Sequence, residues 1–324
     1  MTAQKIVVTG GAGYVGSMVT SHLLQAGFEV IVVDRLASGG EPLLGLQQWP
    51  GFSLVAADVR DATQLRTAID GAFAVVHLAA IVGEPACIGR EADARAVNVG
   101  GTTALLDALR TSGVERLILV STCSNYGVSD PTQLADEDAP LHPLGIYAKS
   151  KVDAELAALA FAGPAGVSVL RLGTICGLSP KMRFDLLVNE MARAAVLGDA
   201  LQIFAPEAWR PFLHIRDAGR AIEWTLRRPR PASGQVYNVV GENYQKKGLA
   251  DLVRRHFPAA ALSVTDKIPD ARDYRASGER IARDGFTPQF TVEDAFLEVV
   301  AAVRSGIFRD PRWAGHAAAP LPKE

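Results

Sequence analysis

A chain of 324 residues, 48% hydrophobic and 21% charged, has the make-up of an ordinary soluble globular protein, long enough for one large domain or a domain with a second lobe. Its 33 basic and 35 acidic side chains leave a net charge of −2 with no long basic run, which argues against nucleic acid as a partner. No apolar stretch approaches the roughly 20 residues of a membrane span, and residues 1–5 enter a strand without a signal-peptide core, so no membrane partner and a cytoplasmic location are expected. Three cysteines, Cys87, Cys123 and Cys176, are odd in number and lack metal-ligand spacing; reduced thiols and no metal are expected. The Ala- and Pro-rich residues 316–324 read as a mobile tail.

In chain order, Lys5-Ile6-Val7-Val8-Thr9 is a β-branched run of the kind buried in a parallel sheet. Gly10-Gly11-Ala12-Gly13-Tyr14-Val15-Gly16 follows, then an apolar-periodic helix to about Ala26, closed by Gly27, and a second strand over 28–33 tipped by Asp34. A strand, a glycine-rich turn, a helix and an acid-tipped strand together predict dinucleotide binding. The glycines let the backbone approach a pyrophosphate whose charge sits on the helix N-terminus, and the carboxylate accepts the ribose hydroxyls of NAD. Asp34 disfavours the 2′-phosphate of NADP, while the adjacent Arg35 works against that exclusion.

Residues 52–57 predict a third strand ending at Asp58-Val59; Asp58 is a candidate for the adenine amino group or for the N-cap of a helix over 62–70. A fourth strand over 72–78 leads into the small residues Ala79 and Ala80, which admit a cofactor near the backbone. A single long helix is expected over 91–112, with Asn98 and Thr102 along it, and a fifth strand over 115–120 delivers Ser121 and Thr122 to the carboxyl edge, where open α/β sheets bind ligands. A helix over about 147–162 sets Tyr147 and Lys151 four residues apart on one face. A nearby cation favours a phenolate, so this pair is suited to exchange a proton with a substrate hydroxyl. Strands are also expected over 167–172, 210–215 and 235–240.

The repeated alternation of strand and helix predicts a Rossmann-like, doubly wound parallel sheet formed by residues 1–172 with about 210–241. Segments 173–209 and 242–324 would form a smaller lobe over the substrate end.

The chain resembles the extended short-chain dehydrogenase/reductase family, specifically its nucleotide-sugar epimerases and dehydratases. The matching stretches are Thr9 to Gly16, Asp34, Asp58, His77-Leu78-Ala79-Ala80, Asn98-Val99-Gly100-Gly101-Thr102, Ser121-Thr122 before Tyr126-Gly127, and Tyr147-Ala148-Lys149-Ser150-Lys151. Others are Arg210 to Asp217, Tyr237-Asn238-Val239 and Arg272-Asp273.

The resemblance implies NAD held by Gly10, Gly13, Tyr14, Val15, Gly16, Asp34, Arg35, Asp58, Val59, Leu78, Ala79, Ala80, Asn98, Tyr147 and Lys151. It also implies Tyr147 as acid/base, Lys151 binding the nicotinamide ribose and lowering the tyrosine pKa, and Thr122 bonding the reacting sugar oxygen. Arg210 and Arg272 are implied diphosphate contacts. Thr174 stands where many relatives carry a phosphate-touching asparagine, a role for which Asn189 is the substitute candidate, and Met182-Arg183-Phe184 is a candidate wall of the sugar pocket.

The family's 4,6-dehydratases follow the threonine with Asp-Glu; here Cys123 and Ser124 occupy those positions. Both are candidate substrate contacts, Cys123 also a small filler beside the nicotinamide, and both are poor replacements for an acid and a base. The expected activity is therefore NAD-dependent epimerisation of a nucleoside-diphosphate sugar, most plainly at C4 through a transient 4-keto sugar. Reduction of a 4-keto nucleotide sugar with NAD(P)H is the alternative, and 4,6-dehydration ranks below both. A homodimer is implied through helices near 98–112 and 147–162.

Overall fold

The computed structural model describes residues 3–130, 132–231, 234–265, 270–308 and 310; the expected tail 316–324 lies outside the described residues. Its strands are β1 (Lys5–Thr9), β2 (Glu29–Asp34), β3 (Phe52–Ala56), β4 (Ala74–His77), β5 (Arg116–Thr122), β6 (Gly166–Leu172), β7 (Thr174–Cys176), β8 (Leu201–Phe204), β9 (Trp209–His214), β10 (Gln235–Val239), β11 (Glu242–Gln245) and β12 (Leu262–Thr265). The helices are α1 (Tyr14–Gln25), α2 (Ala62–Ile69), α3 (Glu84–Cys87), α4 (Glu91–Arg95), α5 (Gly101–Leu109), α6 (Gly145–Leu159), α7 (Leu187–Leu197), α8 (Ile215–Arg227), α9 (Lys246–His256), α10 (Glu279–Arg283) and α11 (Val292–Arg304).

Side chains alternate across a strand, so a run such as Ile6-Val7-Val8 serves two cores at once. Ile6 and Val8 pack with Val19 and Leu23 of α1 and with Ala218 and Ile222 of α8. Val7 packs on the opposite face with Leu65 and Ile69 of α2, Leu105 and Leu109 of α5 and Ala158 of α6. Seven strands follow in the order β10-β6-β5-β4-β1-β2-β3, every pairing parallel. The sheet reverses direction of growth between β1 and β4, and the crevice at their carboxyl ends is the expected ligand site of a doubly wound sheet. A separate core formed by α7, α9 and α11, with Met191, Val253, Phe296 and Val299 at its centre, lies over that end.

Three sequence expectations differ from the structure. The strand at Trp209–His214 does not join the seven-stranded sheet; it pairs antiparallel with β11 and parallel with β7 in a three-stranded sheet, carrying Arg210 toward the second core. The expected single helix over 91–112 is interrupted by a π-helical turn at Ala96–Gly100, a wide turn that re-aims Asn98. The N-cap of α2 is Asp61, whose side chain accepts from the N–H groups of Thr63 and Gln64, rather than Asp58.

Beneath the crevice a hydrogen-bonded relay has one self-consistent proton arrangement. The Ala79 N–H donates to Thr9 Oγ1 (3.3 Å), and Thr102 Oγ1 donates to the Asn98 carbonyl (2.7 Å). The Thr9 hydroxyl is thereby left to donate to His77 Nδ1 (2.7 Å), and His77 Nε2–H to Thr102 Oγ1 (3.2 Å). His77 is 1% exposed, and burial lowers its pKa to about 3, with the Lys151 charge acting in the same direction. An unfolded histidine titrates near 6.5, so between those values the unfolded chain binds the extra proton; this stability is complete above pH 6.5 and is lost as pH falls toward 3. Urea titrations should show a loss on the order of 2 kcal/mol from this group between pH 7 and pH 5, and His77→Gln should flatten that part of the profile.

Candidate active site

A cavity of about 700 Å³ runs from the glycine turn to the second core. Its floor at one end is Gly10, Ala12, Gly13, Tyr14, Val15 and Gly16, where α1 begins with no side-chain cap. The free N–H groups of that helix end are an anion site. Gly10 adopts φ 75°, and a Cβ there would lie 2.8 Å from the backbone of Ala79, so the turn and the residues after β4 are in close contact. Asp34, at the tip of β2, accepts from the N–H groups of Ala12 (3.0 Å) and Leu36 (2.8 Å). Each carboxylate oxygen keeps a lone pair for a further donor, and a ribose diol is the group that fits between them. Leu36 itself has φ 55°, a left-handed conformation that turns the chain back beneath the carboxylate.

Arg35, Asp58 and Val59 line the same end. Asp58 is held by Arg60 through two side-chain bonds of 2.8 and 2.7 Å; that pairing comes first in lowering its pKa to about 2. Arg35 stands 4.0 Å from Asp58 with 41% of its side chain exposed. Leu78, Ala79 and Ala80 form the wall toward the middle. Asn98 does not line the cavity: its amide accepts from Ile81 N–H (2.7 Å) and donates to Ile81 O (3.1 Å) and Ser150 Oγ (2.9 Å). In this arrangement Asn98 braces the wall from behind.

Thr122, Tyr147 and Lys151 line the cavity midway. Thr122 ends β5 and caps the short turn after it through Ser124 N–H (3.1 Å). Lys151 donates to the Val120 carbonyl (2.6 Å), and burial, opposed by Glu155, lowers its pKa to about 8. The expected lowering of the tyrosine by Lys151 is not what the chain alone shows. Enclosure by the cavity walls pushes the Tyr147 phenol up to about 12, and the cations that pull against burial are Arg183 and then Arg272. Desolvation outweighs charge here because the Lys151 ammonium is turned to the strand β5 carbonyl.

Cys123 also departs from expectation. It is 0% exposed, its thiol contacts the Arg171 carbonyl (3.2 Å), and it packs with Tyr126, Tyr274 and Val240 on the side away from the cavity. Burial raises its pKa beyond the thiol range, which suits a packing role and not proton transfer, and it does not line the cavity. Ser124 does face the cavity, its Oγ accepting from Arg272 Nη1 (3.0 Å). Asn189 does not line the cavity: fully buried, it is bonded to Gly177 N–H (2.9 Å), Tyr14 Oη (3.1 Å) and Arg183 O (3.0 Å). Thr174 remains on the cavity wall. Of Met182-Arg183-Phe184, only Arg183 reaches the cavity; its neighbours sit in the second core.

At the far end, Arg210, Lys246 and Arg272 line the cavity together with the Asp270 carboxylate. Asp270 accepts from Arg210 (3.0 Å) and from Arg272 (2.9 and 2.7 Å). Among the described residues lining this end, cations outnumber carboxylates, which suits an anionic diphosphate. Lys246 and Asp270 were not singled out in the sequence; an acid two residues before Arg272 was the only local signal, and Lys246 had none. Among the described residues no group of three or more His, Cys, Asp or Glu is placed to hold a metal, and no helix is long and apolar enough to cross a membrane.

A glycine-turn dinucleotide site joined to a threonine, tyrosine and lysine, with a cationic pocket beyond, defines a nucleotide-dependent redox enzyme acting on an anionic substrate. The NAD dependent epimerase/dehydratase family model matches residues 6–240, and the chain belongs to that family. A UDP-glucose 4-epimerase of Corynebacterium glutamicum is 27% identical over 319 residues, covering 90% of this chain and 94% of its own. A dTDP-glucose 4,6-dehydratase of Streptomyces griseus is 31% identical over 314 residues, covering 91% and 93%. Among solved structures, the dTDP-glucose 4,6-dehydratase DesIV of Streptomyces venezuelae, with NAD and TYD bound, superposes with a TM-score of 0.85 at 27% identity, covering 95% of this chain and all of that one. The chain is an NAD-dependent nucleotide-sugar enzyme.

Gly10→Ala combines a left-handed φ with backbone overlap at Ala79. Calorimetric titration with NAD should show affinity reduced at least about tenfold, while Ala at Gly45, which has open space around it, should leave binding unchanged.

Proposed function

We propose that the protein is an NAD-dependent epimerase of a nucleoside-diphosphate sugar, acting at C4. The observation that carries this reading is the pairing of Thr122, Tyr147 and Lys151 in the cavity with the absence of a carboxylate at 123 and 124: Cys123 is buried away from the site and Ser124 is bonded to Arg272. Without an acid for a leaving hydroxyl and a base for a neighbouring carbon, elimination of water has no agents at those positions.

NAD, when bound, supplies the oxidant that accepts the C4 hydrogen with its electron pair and later returns it. The chain's residues do the rest. Tyr147 takes the 4-hydroxyl proton and gives it back, and Thr122 Oγ1 donates to the same oxygen. Lys151 would hold the cofactor's ribose, and its charge would favour the phenolate of Tyr147. Arg210, Lys246 and Arg272 hold the diphosphate, leaving the sugar free to present either face.

The test is incubation of the NAD-loaded protein with UDP-glucose, UDP-galactose and their dTDP counterparts without added reductant, with C4 configuration followed by proton NMR. Interconversion of C4 epimers is expected; product formed only with stoichiometric NAD(P)H, or a 4-keto-6-deoxy product, overturns the reading. Tyr147→Phe should lower kcat by about a hundredfold or more with KM little changed, since the phenol acts on the proton and not on the diphosphate.

A further inference from the structure

The helix that carries Tyr147 lacks a cap of its own. Its N-cap residue, Leu144, makes no side-chain cap bond, and the first turn of α6 holds no acidic residue. The first N–H groups of a helix have no partner within it. Here two of them are taken by a carboxylate from 62 positions earlier: Glu84 accepts from Ile146 N–H through Oε1 (2.9 Å) and from Tyr147 N–H through Oε2 (3.1 Å). The fit is tight enough to constrain a second residue. Gly145 has φ 77°, and a Cβ there would overlap the Glu84 carboxyl group.

The other side of the same residue is held as well. The Tyr147 carbonyl accepts from Ser150 Oγ (2.7 Å), which accepts from Asn98 Nδ2 (2.9 Å), and Asn98 grips both backbone polar groups of Ile81. Ile81, Val82, Gly83 and Glu84 are consecutive and all line the cavity. Gly83 lies beside Arg183, whose Nη2 would be 3.7 Å from a Cβ placed there. One short stretch of cavity wall therefore fastens both the N–H and the C=O of Tyr147.

We propose that Glu84 is a positioning residue for Tyr147: its carboxylate replaces the missing helix cap and fixes the phenol relative to Thr122 and the cofactor. Its negative charge at the positive end of α6 adds to the hydrogen bonds. The consequence for catalysis rests on the epimerase reading; the clamp itself does not.

The experiment therefore has two arms on the NAD-loaded full chain. Hydrogen–deuterium exchange over residues 145–152 needs no substrate. Because the N–H groups of Ile146 and Tyr147 have Glu84 as their partner, Glu84→Ala should speed exchange there about tenfold or more, with Glu84→Gln between it and the wild type. Thr291→Ala serves as the control, since it removes a capping box from α11, outside the cavity; it should lower the melting temperature while leaving exchange at 145–152 and kcat unchanged.

The second arm measures turnover of UDP-glucose and UDP-galactose. Glu84→Ala should lower kcat by roughly ten- to a hundredfold with KM within about twofold, a split that loss of stability alone does not produce. Wild-type exchange in Glu84→Ala, or full kcat despite faster exchange, overturns the proposal. If the wild type turns over none of the nucleotide sugars, the epimerase reading fails and the exchange arm still decides whether Glu84 holds Tyr147.

Discussion

A buried ion pair lies directly beneath the reacting groups. Arg171 of β6 and Glu155 of α6 have 6% and 2% of their side chains exposed and are joined through Nε (3.0 Å) and Nη2. Charges this deep persist only when every lone pair and proton is matched, and removal of one partner typically costs about 3–5 kcal/mol. Glu155 accepts in addition from Ser121 Oγ (2.8 Å) and Asn125 Nδ2 (3.2 Å), while Arg171 donates to Tyr126 Oη (2.9 Å) and the Glu137 carbonyl (3.1 Å). The end of β5, the turn after Thr122, β6 and the middle of α6 are thus parts of one polar network. Thr122 comes one residue after Ser121, and Lys151 precedes Glu155 by one helical turn. The separation between the threonine and lysine is consequently set by charge satisfaction below the cavity, not by the cavity itself.

Above that network, one residue links the two chemical ends of the site. Arg272 is anchored by Asp270 in the cationic pocket, yet its Nη1 reaches Ser124 beside Thr122 and its charge acts on Tyr147. A group that neutralises Asp270's partners therefore also changes the electrostatics at the phenol. The small hydroxyl side chain of Ser124 lets the Arg272 guanidinium approach the end of β5. Ser124 thereby ties the cationic end of the cavity to the turn that follows Thr122.

Much of this was legible in the chain. The β-branched runs, the glycine turn, Asp34 and the Tyr147–Lys151 spacing are local patterns whose physics is local: strand alternation, close backbone approach and the helical repeat. Less legible were residues whose surroundings are set by what faces them across the fold. Asn98, Asn189 and Cys123 have side chains suited to ligand contact, but each points into protein and has its bonding capacity met there. The interruption of the helix over 91–112 was equally hidden, because Ala96–Gly100 has no proline, and Gly100 lowers helix propensity without marking a π turn.

The sequence by itself determined the doubly wound sheet and the glycine-turn nucleotide site, since each follows from a periodicity or a spacing within about 30 residues, and it set Tyr147 and Lys151 on one face of a helix. Only the tertiary structure decided which groups hold them. Glu84 on the α6 terminus, Asp270 and Lys246 at the cationic end, and Arg171 under the threonine turn all act across long sequence separations or from separate elements. Nothing in the local spacing of a carboxylate or an ammonium says which distant backbone N–H or opposite charge folding will place beside it. That choice is made when burial forces every polar group to find a partner.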